Sequence, residues 1–221
     1  MRRAAACAPP SLLRSFGATV ASVLILTGAP VAAQTSSRPG PWVLDVRGTT
    51  SPVPTDPDYY PPLAAVLVPE RGFGVDVGGH VYLFNLGPAR VGFGASVMTI
   101  RSTAETAAVT DEDGVTTPGQ RLALTMRTVA PQVSFNFGTR DGWSYLSAGI
   151  GTGSVNTEAT GGVEGIRKSG QLRAVNIGGG ARWFFTSHIA FGFDLRLHQI
   201  AAGDETDRNS MFAVGAGLSF R

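Results

Sequence analysis

The sequence predicts an all-β protein, an eight-stranded antiparallel up-and-down transmembrane β-barrel. Three observations predict this fold. Eight segments alternate between bulky apolar residues and small or charged ones, short and long connections follow one another in turn, and 12 of the 16 acidic residues fall in the long connections. A period of two is typical of a strand whose two faces meet different environments. In a membrane barrel these environments are lipid outside and a packed lumen inside.

Residues 1–33 have the features of a secretory signal peptide. A start with three arginines precedes the apolar run "FGATVASVLILTGAP", and the small residues "VAA" end the segment. This order fits the rule for a cleaved export signal, so we expect cleavage after Ala33 and a single barrel domain over residues 34–221. A permanent anchor fits less well, because the apolar run is shorter than the roughly 20 residues that a spanning helix needs.

The composition of the mature chain argues against several functional classes. Cys7 lies in the signal segment, so the mature chain has no disulfide and no thiolate metal site. Removal of Arg2, Arg3 and Arg14 leaves 15 of the 18 basic residues against 16 acidic ones, a net charge of −1. Because nucleic-acid binding is typical of strongly basic surfaces, we expect no nucleic-acid partner.

The strand segments and their connections can be placed along the chain. Strand character is found at 42–49, 71–85, 89–101, 121–138, 142–156, 171–185, 189–200 and 211–221. Tight turns are predicted near Pro88, at 139–142 and at 186–188, where turn-forming residues cluster. The connections near 50–70, 102–120, 157–170 and 201–210 are long and either polar or rich in proline.

Two of the predicted hairpins repeat each other. The stretches "VDVGGHVYLFNLGPARVGF" (Val75–Phe93) and "VNIGGGARWFFTSHIAFGF" (Val175–Phe193) align without a gap at an offset of 100 residues. Bulky residues are odd-numbered on both arms, so facing residues must have numbers that sum to an even value. Each hairpin is therefore predicted to have a loop of odd length, and the repeat indicates shared architecture and not a duplicated active site.

The strand "IAFGFDLRLHQ" shows why the two faces must be assigned to lipid and lumen. Phe191 and Phe193 lie on one face of the strand, and Asp194 and Arg196 lie on the opposite face. A soluble barrel would turn the phenylalanines inward, whereas a membrane barrel turns them to lipid. The second arrangement is favoured, because small and oppositely charged residues suit a narrow interior and because all three tryptophans lie at the short-turn end. Those tryptophans, Trp42, Trp143 and Trp183, are predicted at the lipid–water interface.

The fourth segment does not keep one phase throughout. Leu122, Leu124 and Met126 are even-numbered, whereas the apolar residues from Val129 onward are odd-numbered. If both sets face lipid, the register slips between Arg127 and Val129. A β-bulge near Thr128 is one explanation, and a break in the strand is the other.

The hairpin "GGGARWFFTSHIAFGFDLRLHQ" and the last strand "MFAVGAGLSFR" resemble those of small outer-membrane barrels of the OmpA/OmpX-like kind. The resemblance implies a monomer in the outer membrane of a Gram-negative cell envelope, with termini and short turns in the periplasm. It also implies contact with outer-membrane lipid, including lipopolysaccharide, and recognition by the barrel-assembly machinery. The implied assembly signal is Phe212, Val214, Ala216, Leu218 and Phe220, with Arg221 following the aromatic residue that usually ends such strands.

The charged inner face is predicted to form an ion-pair network, because buried charge is tolerated only when it is paired. Its members are Asp45, Arg47, Asp76, His80, Arg127, Arg182, Asp194 and Arg196. An eight-stranded barrel has an interior that side chains can fill, so we expect a closed lumen. We expect a structural or surface-interaction role through four long outer loops, with no catalytic residues, metal or cofactor, and with the ligand of the loops left open.

Two other functions remain as alternatives. A lipid A-modifying enzyme would need a catalytic constellation, but Asp76 and His80 are about 13 Å apart along one strand and His198 has no nearby serine. A soluble periplasmic ligand-binding barrel would require the two faces to be exchanged. The acidic stretches "DEDG" (111–114) and "DETD" (204–207) lack the spacing of a calcium loop, so solvated surface charge is the favoured interpretation.

Overall fold

The computed structural model describes residues 40–54, 57–61, 68–139, 141–161, 164–203 and 208–221. The predicted signal peptide and the "DETD" stretch lie outside the described residues. A 3-10 helix occupies Pro57–Tyr59, and none of the helices in the described ranges is long and apolar enough to cross a membrane.

Strands account for most of the described chain. They are β1 (Trp42–Pro52), β2 (Arg71–Leu86), β3 (Ala89–Glu105), β4 (Val109–Thr110), β5 (Thr116–Thr117), β6 (Arg121–Gly138), β7 (Gly142–Thr160), β8 (Gly165–Lys168), β9 (Leu172–Phe184), β10 (Ile189–Ile200) and β11 (Asn209–Phe220). Eight of them, β1, β2, β3, β6, β7, β9, β10 and β11, pair antiparallel with their neighbours, and β11 pairs with β1 to close the barrel. The short strands β4 and β5 form a separate hairpin, while β8 extends the sheet beside β7. The predicted eight-stranded up-and-down barrel is confirmed.

The two repeated hairpins differ at their turns. In β9–β10, Phe191 faces Trp183, so the facing numbers sum to an even value as predicted. In β2–β3 the register shifts between Tyr82 and Phe84, and a two-residue turn at Gly87 and Pro88 closes the hairpin. The odd loop length predicted for this hairpin is therefore wrong, because a β-bulge supplies the extra residue. Gly87 has a φ of 56°, a left-handed conformation that glycine adopts without steric cost.

The bulky face of the strands points away from the barrel and forms an apolar band. Its side chains are 37% to 66% exposed, although they are large and apolar. A continuous apolar surface of this size fits contact with lipid and not with water. The apolar band includes Leu44, Val46, Phe73, Val75, Val77, Phe93, Val97, Val129, Val133, Phe135, Leu146, Ile150, Ile177, Phe191, Phe193, Leu195, Leu197, Phe212, Val214 and Leu218.

Strand β6 corrects the sequence prediction of a register slip. Leu122, Leu124 and Met126 are buried inside the barrel, and the alternation of buried and exposed residues runs unbroken to Phe137. The pairing of β6 with β3 shows no shift, so there is neither a bulge near Thr128 nor a break. Pro131 interrupts only the ladder to β7, because proline has no N–H to donate, and the register is the same on both sides of it.

These buried residues belong to an apolar plug that fills the half of the lumen nearest the long connections. It contains Val53, Tyr59, Tyr60, Met98, Ile100, Leu122, Leu124, Met126, Val155, Ala159, Ala174, Ile200, Met211 and Ala213. The connection after β1 folds into this mouth: the Thr157 hydroxyl donates to the carbonyl oxygen of Tyr59 at 2.7 Å, and the Tyr60 hydroxyl donates to that of Pro54. Burial raises the pKa of the Tyr60 phenol, so it remains a donor. Packed side chains therefore occupy this end of the described lumen.

The other half of the lumen needs small residues on its wall. A Cβ on Gly180 would lie 1.9 Å from the carbonyl oxygen of Phe193 and 2.9 Å from the hydroxyl oxygen of Tyr145. Gly48 in β1 shows the opposite case, since its nearest neighbour would be 3.9 Å away. Some glycines in the wall therefore make room for lumenal side chains, and others do not.

We expect Phe193→Arg to lower the free energy of unfolding by about 2 to 4 kcal/mol, because an arginine near the bilayer midplane loses its hydration. Denaturant titration of the barrel in lipid vesicles measures this change. Gln199→Arg is the control, since it lies on the same face of β10 near the end of the strand and is expected to cost about 0 to 1 kcal/mol. Equal stability of the two variants would show that the face assignment is wrong.

We expect Gly180→Ala to destabilise the barrel by about 1 to 3 kcal/mol, because the added methyl group collides with β10 and displaces Tyr145. Gly48→Ala makes the same chemical change in open space and should be tolerated. The same titration compares the two variants. If both alanines cost the same, close packing at Gly180 is not what stabilises this part of the lumen.

Candidate functional site in the barrel lumen

Six buried charged residues lie in the lumen between the apolar plug and a cluster of Val43, Tyr82 and Trp143 at the short-turn end. Three aspartates balance three arginines, and each side chain belongs to a residue that is at most 7% exposed. They project inward from β1, β2, β9 and β10, because residues two apart on a strand share a face. This lumenal network consists of Asp45, Arg47, Asp76, Arg182, Asp194 and Arg196.

Asp45 is the centre of the first part of the network. Arg182 donates to both of its carboxylate oxygens, from Nε at 2.8 Å and from Nη2 at 2.6 Å. The hydroxyl of Ser219 donates to Oδ1 at 2.5 Å, and Nη2 of Arg47 lies 2.9 Å from Oδ2. Arg47 also donates from Nη1 to Asp76 at 3.2 Å. Such charge-assisted and bidentate bonds are among the strongest that buried side chains make.

The second part of the network lies along β10. Arg196 donates to Asp194 from Nε at 3.0 Å and from Nη2 at 2.9 Å. The same guanidinium reaches β9 and β7, where Asn176 Oδ1 accepts at 3.0 Å and the hydroxyl of Ser147 accepts at 2.8 Å. One arginine thus ties three adjacent strands together.

Tyr145 joins the two parts, and sequence reasoning missed it. Its hydroxyl donates to Asp194 Oδ2 at 2.6 Å, and its ring centroid lies 3.9 Å from the Cζ atom of Arg182. The ring therefore contributes a cation–π contact as well as a hydrogen bond. Its odd position in β7, in phase with the inward Ser147, is the sequence signal that could have identified it.

Two of the predicted network residues behave differently from the rest. His80 lies in the lumen beside Tyr82, with ring centroids 6.2 Å apart, and no described hydrogen bond joins it to the aspartates and arginines of the lumenal network. Arg127 is exposed on the outer surface of β6. Its predicted place in the lumen is wrong, because β6 keeps one phase and odd-numbered residues face outward.

Trp143 also departs from prediction. It is only 1% exposed and packs inside the short-turn end of the barrel, where its ring contacts Tyr82 and Phe184. Trp42 and Trp183, by contrast, are 45% and 52% exposed on the outside. Two tryptophans therefore face outward as predicted for the interface, while the third packs inside the lumen.

The network leaves little room for a ligand. A cavity of about 10 Å³ between Asp76, Arg196 and His198 has space for about one water molecule. In the described parts of the chain, no group of three or more histidine, cysteine, aspartate or glutamate residues is placed to hold a metal ion. In the described residues, the hydroxyl of Ser187 lies 2.7 Å from Nδ1 of His188, but this hydrogen bond is in an exposed turn outside the lumen. The arrangement is suited to cross-linking strands.

Known structures share the fold. Twenty-two chains of solved structures match. Neisserial surface protein A matches at 10% identity over 82% of this chain and 97% of its own, with a TM-score of 0.53. Ail, the attachment invasion locus protein of Yersinia pestis, matches at 13% identity over 81% and 97%, with a TM-score of 0.49. The outer membrane protease OmpT from Escherichia coli matches at 12% identity over 69% and 64%, with a TM-score of 0.44.

At these identities the likeness to Neisserial surface protein A concerns the fold alone. No curated protein sequence matches the chain significantly. The family described as outer membrane protein beta-barrel domain, however, matches residues 19–220, which is nearly the whole chain. Together with the closed eight-stranded barrel and its apolar outer band, this match identifies the chain as a member of the outer membrane protein β-barrel domain family.

Proposed function

We propose that the protein is a closed, non-enzymatic barrel in the outer membrane. Its role is structural or lies in surface interactions, in which the long loops contact partners. The balanced lumenal network is the observation that carries this proposal. Asp45, Asp76 and Asp194 are matched by Arg47, Arg182 and Arg196, and each carboxylate has at least one arginine partner. A network of this kind holds strands in place and leaves no charge free for transport.

The filling of both halves of the lumen supports a closed interior. The lumenal network lies between the apolar plug at the long-connection end and the aromatic residues Tyr82, Trp143 and Phe184 at the short-turn end. An ion that entered would have to break buried ion pairs and then cross an apolar layer, and both steps are costly. Conduction through the resting barrel is therefore not part of the proposed function.

The geometry of the histidines supports a non-enzymatic role. General base catalysis requires a base within hydrogen-bond reach of a nucleophile. His80 stacks on Tyr82, and His198 lies beside Arg196, so neither is arranged with a serine in the described lumen. Among the described lumenal residues, these two histidines therefore provide no constellation for a lipid A-modifying activity.

The long connections offer a surface for partners. The hairpin of β4 and β5 is shaped by Asp111, whose carboxylate accepts from the backbone N–H groups of Asp113 and Val115 at 3.1 Å and 2.8 Å. Val115 and Ile166 are 62% and 66% exposed at this end of the molecule. Ordered loops that expose apolar side chains favour contact with another surface.

The last strand supports the proposed route of assembly. Phe212, Val214, Ala216, Leu218 and Phe220 all lie on the outward face of β11. In the finished barrel, β11 pairs with β1, where Phe220 faces Leu44 and Leu218 faces Val46. We propose that the barrel-assembly machinery recognises this face after export through a cleaved signal peptide, with the long loops then facing outward among lipopolysaccharide.

We expect the full chain to be recovered in the outer-membrane fraction and to migrate differently on gels before and after boiling, because a folded barrel resists the detergent until heated. Planar bilayer recordings of the folded protein should show no steady conductance. Lipid A from a deletion strain should be unchanged by mass spectrometry. Recovery in the soluble periplasmic fraction would support a soluble binding barrel instead, and altered lipid A would support an enzyme.

We expect Asp194→Ala to destabilise the barrel by about 3 to 5 kcal/mol, because it leaves Arg196 buried without its carboxylate. The double variant Asp194→Leu/Arg196→Met should recover most of that loss, since it removes both charges. Unfolding free energies in vesicles measure the difference. A double variant that is as unstable as Asp194→Ala, or less stable, would mean that Asp194 and Arg196 do not act as a pair.

A further inference from the structure

Four outward-facing arginines form a basic belt on one side of the barrel. Each lies on the side of the apolar band nearest the long connections. On β2, β6 and β9 the arginine is the next outward residue after Phe73, Val129 and Val175, and on β3 only Thr99 separates it from Val97. The basic belt consists of Arg71, Arg101, Arg127 and Arg173, all exposed.

The strand register makes Arg71, Arg101 and Arg127 neighbours, whereas β7 lies between Arg127 and Arg173. Arg101 faces Phe73 on one side and Thr125 on the other, so Arg71 and Arg127 are both diagonal to it. Diagonal neighbours of this kind have Cβ atoms about 7 to 8 Å apart, within reach of one bound group. Arg127 faces Ser154 and Arg173 faces Thr152, so small hydroxyl residues of β7 complete the row.

Charge compensation is sparse at the level of the basic belt. The outward-facing acidic residues described on these strands, Glu105 and Glu158, lie farther toward the loops, and Glu105 pairs with Arg121 at 3.2 Å. Glu70 precedes Arg71 outside the strand. On β1, β10 and β11 the outward residues Thr50, Gln199 and Ser210 are uncharged, although the exposed Arg208 lies just before β11. Within the barrel strands, the positive charge at this level is therefore carried by β2, β3, β6 and β9.

We propose that the basic belt binds phosphate groups of lipid in the outer leaflet. This inference rests on the proposed orientation, in which the long connections face outside. Guanidinium groups bind phosphate in a bidentate manner, and an arginine at the edge of an apolar band places its head group at the level of lipid head groups while its stem covers apolar surface. A soluble phosphate would gain no contact with the apolar band, so a lipid is the favoured source.

The test compares two double variants of the full mature chain folded in detergent. Arg101→Gln/Arg127→Gln removes two charges from the basic belt. Arg121→Gln/Lys168→Gln removes two exposed charges farther toward the loops. Stabilisation against heat, titrated with purified lipopolysaccharide, gives the dissociation constant of each. We expect about tenfold weaker binding for the first variant and less than about twofold for the second.

Two further probes separate the possible sources of phosphate. Lipopolysaccharide stripped of its phosphates should bind the unaltered protein about as weakly as the first variant binds the intact lipid, and inorganic phosphate alone should not stabilise the barrel. Arg173→Gln, on another strand, should weaken binding about threefold and provides a second measurement if the double variant folds poorly.

Equal affinity of the two double variants, or full binding of the phosphate-free lipid, would overturn the inference. Stabilisation by inorganic phosphate alone would also overturn it, because the site would then not require a lipid. Outer-membrane recovery and heat-dependent mobility of the unaltered protein are measured in parallel. If the unaltered protein is not recovered in the outer membrane or shows no heat-dependent mobility, the proposed function is refuted. If it passes both measurements and the two double variants bind equally well, only the inference about the basic belt is refuted.

Discussion

The free-energy cost of burying charge in a narrow lumen is the constraint on which the rest of this barrel depends. Asp45 meets it with two bonds from Arg182, one from Ser219 and a contact with Arg47. These partners come from β9, β11 and β1, so satisfying one carboxylate aligns three strands. Removal of either partner from such a pair leaves an uncompensated charge, which is why the network acts as a cross-link.

The size of the arginine side chains then determines how the remaining lumen is built. Arg182 on β9 reaches Asp45 on β1 through the interior, and the wall of β9 has no space for a methyl group at Gly180. Beyond the reach of the arginines the lumen holds apolar side chains such as Leu124 and Ile200. The interior therefore has a charged layer with apolar side chains on either side of it, the apolar plug toward the long connections and Val43, Tyr82 and Trp143 toward the short turns.

This layering explains which features could be predicted from the sequence. The period of two, the turn residues and the repeated hairpins are local signals, and they predicted all eight strands of the barrel. The phase of β6 was misread, because Leu122 and Met126 are as hydrophobic as the residues that face lipid, and hydrophobicity marks the lipid face only where the lumen is polar. Tyr145 and Trp143 were missed or misplaced for the related reason that an aromatic ring suits either side.

A single structural fact, the unbroken phase of β6, links the apolar plug to the outer surface. With Met126 inside the barrel, Arg127 must face outward, because adjacent residues on a strand point to opposite faces. Arg127, predicted as a seventh charge in the lumen, therefore lies outside it, and the six buried charges that remain are three aspartates and three arginines. On the outside it stands diagonal to Arg101, so the same alternation that packs the apolar plug also concentrates positive charge where the apolar band ends.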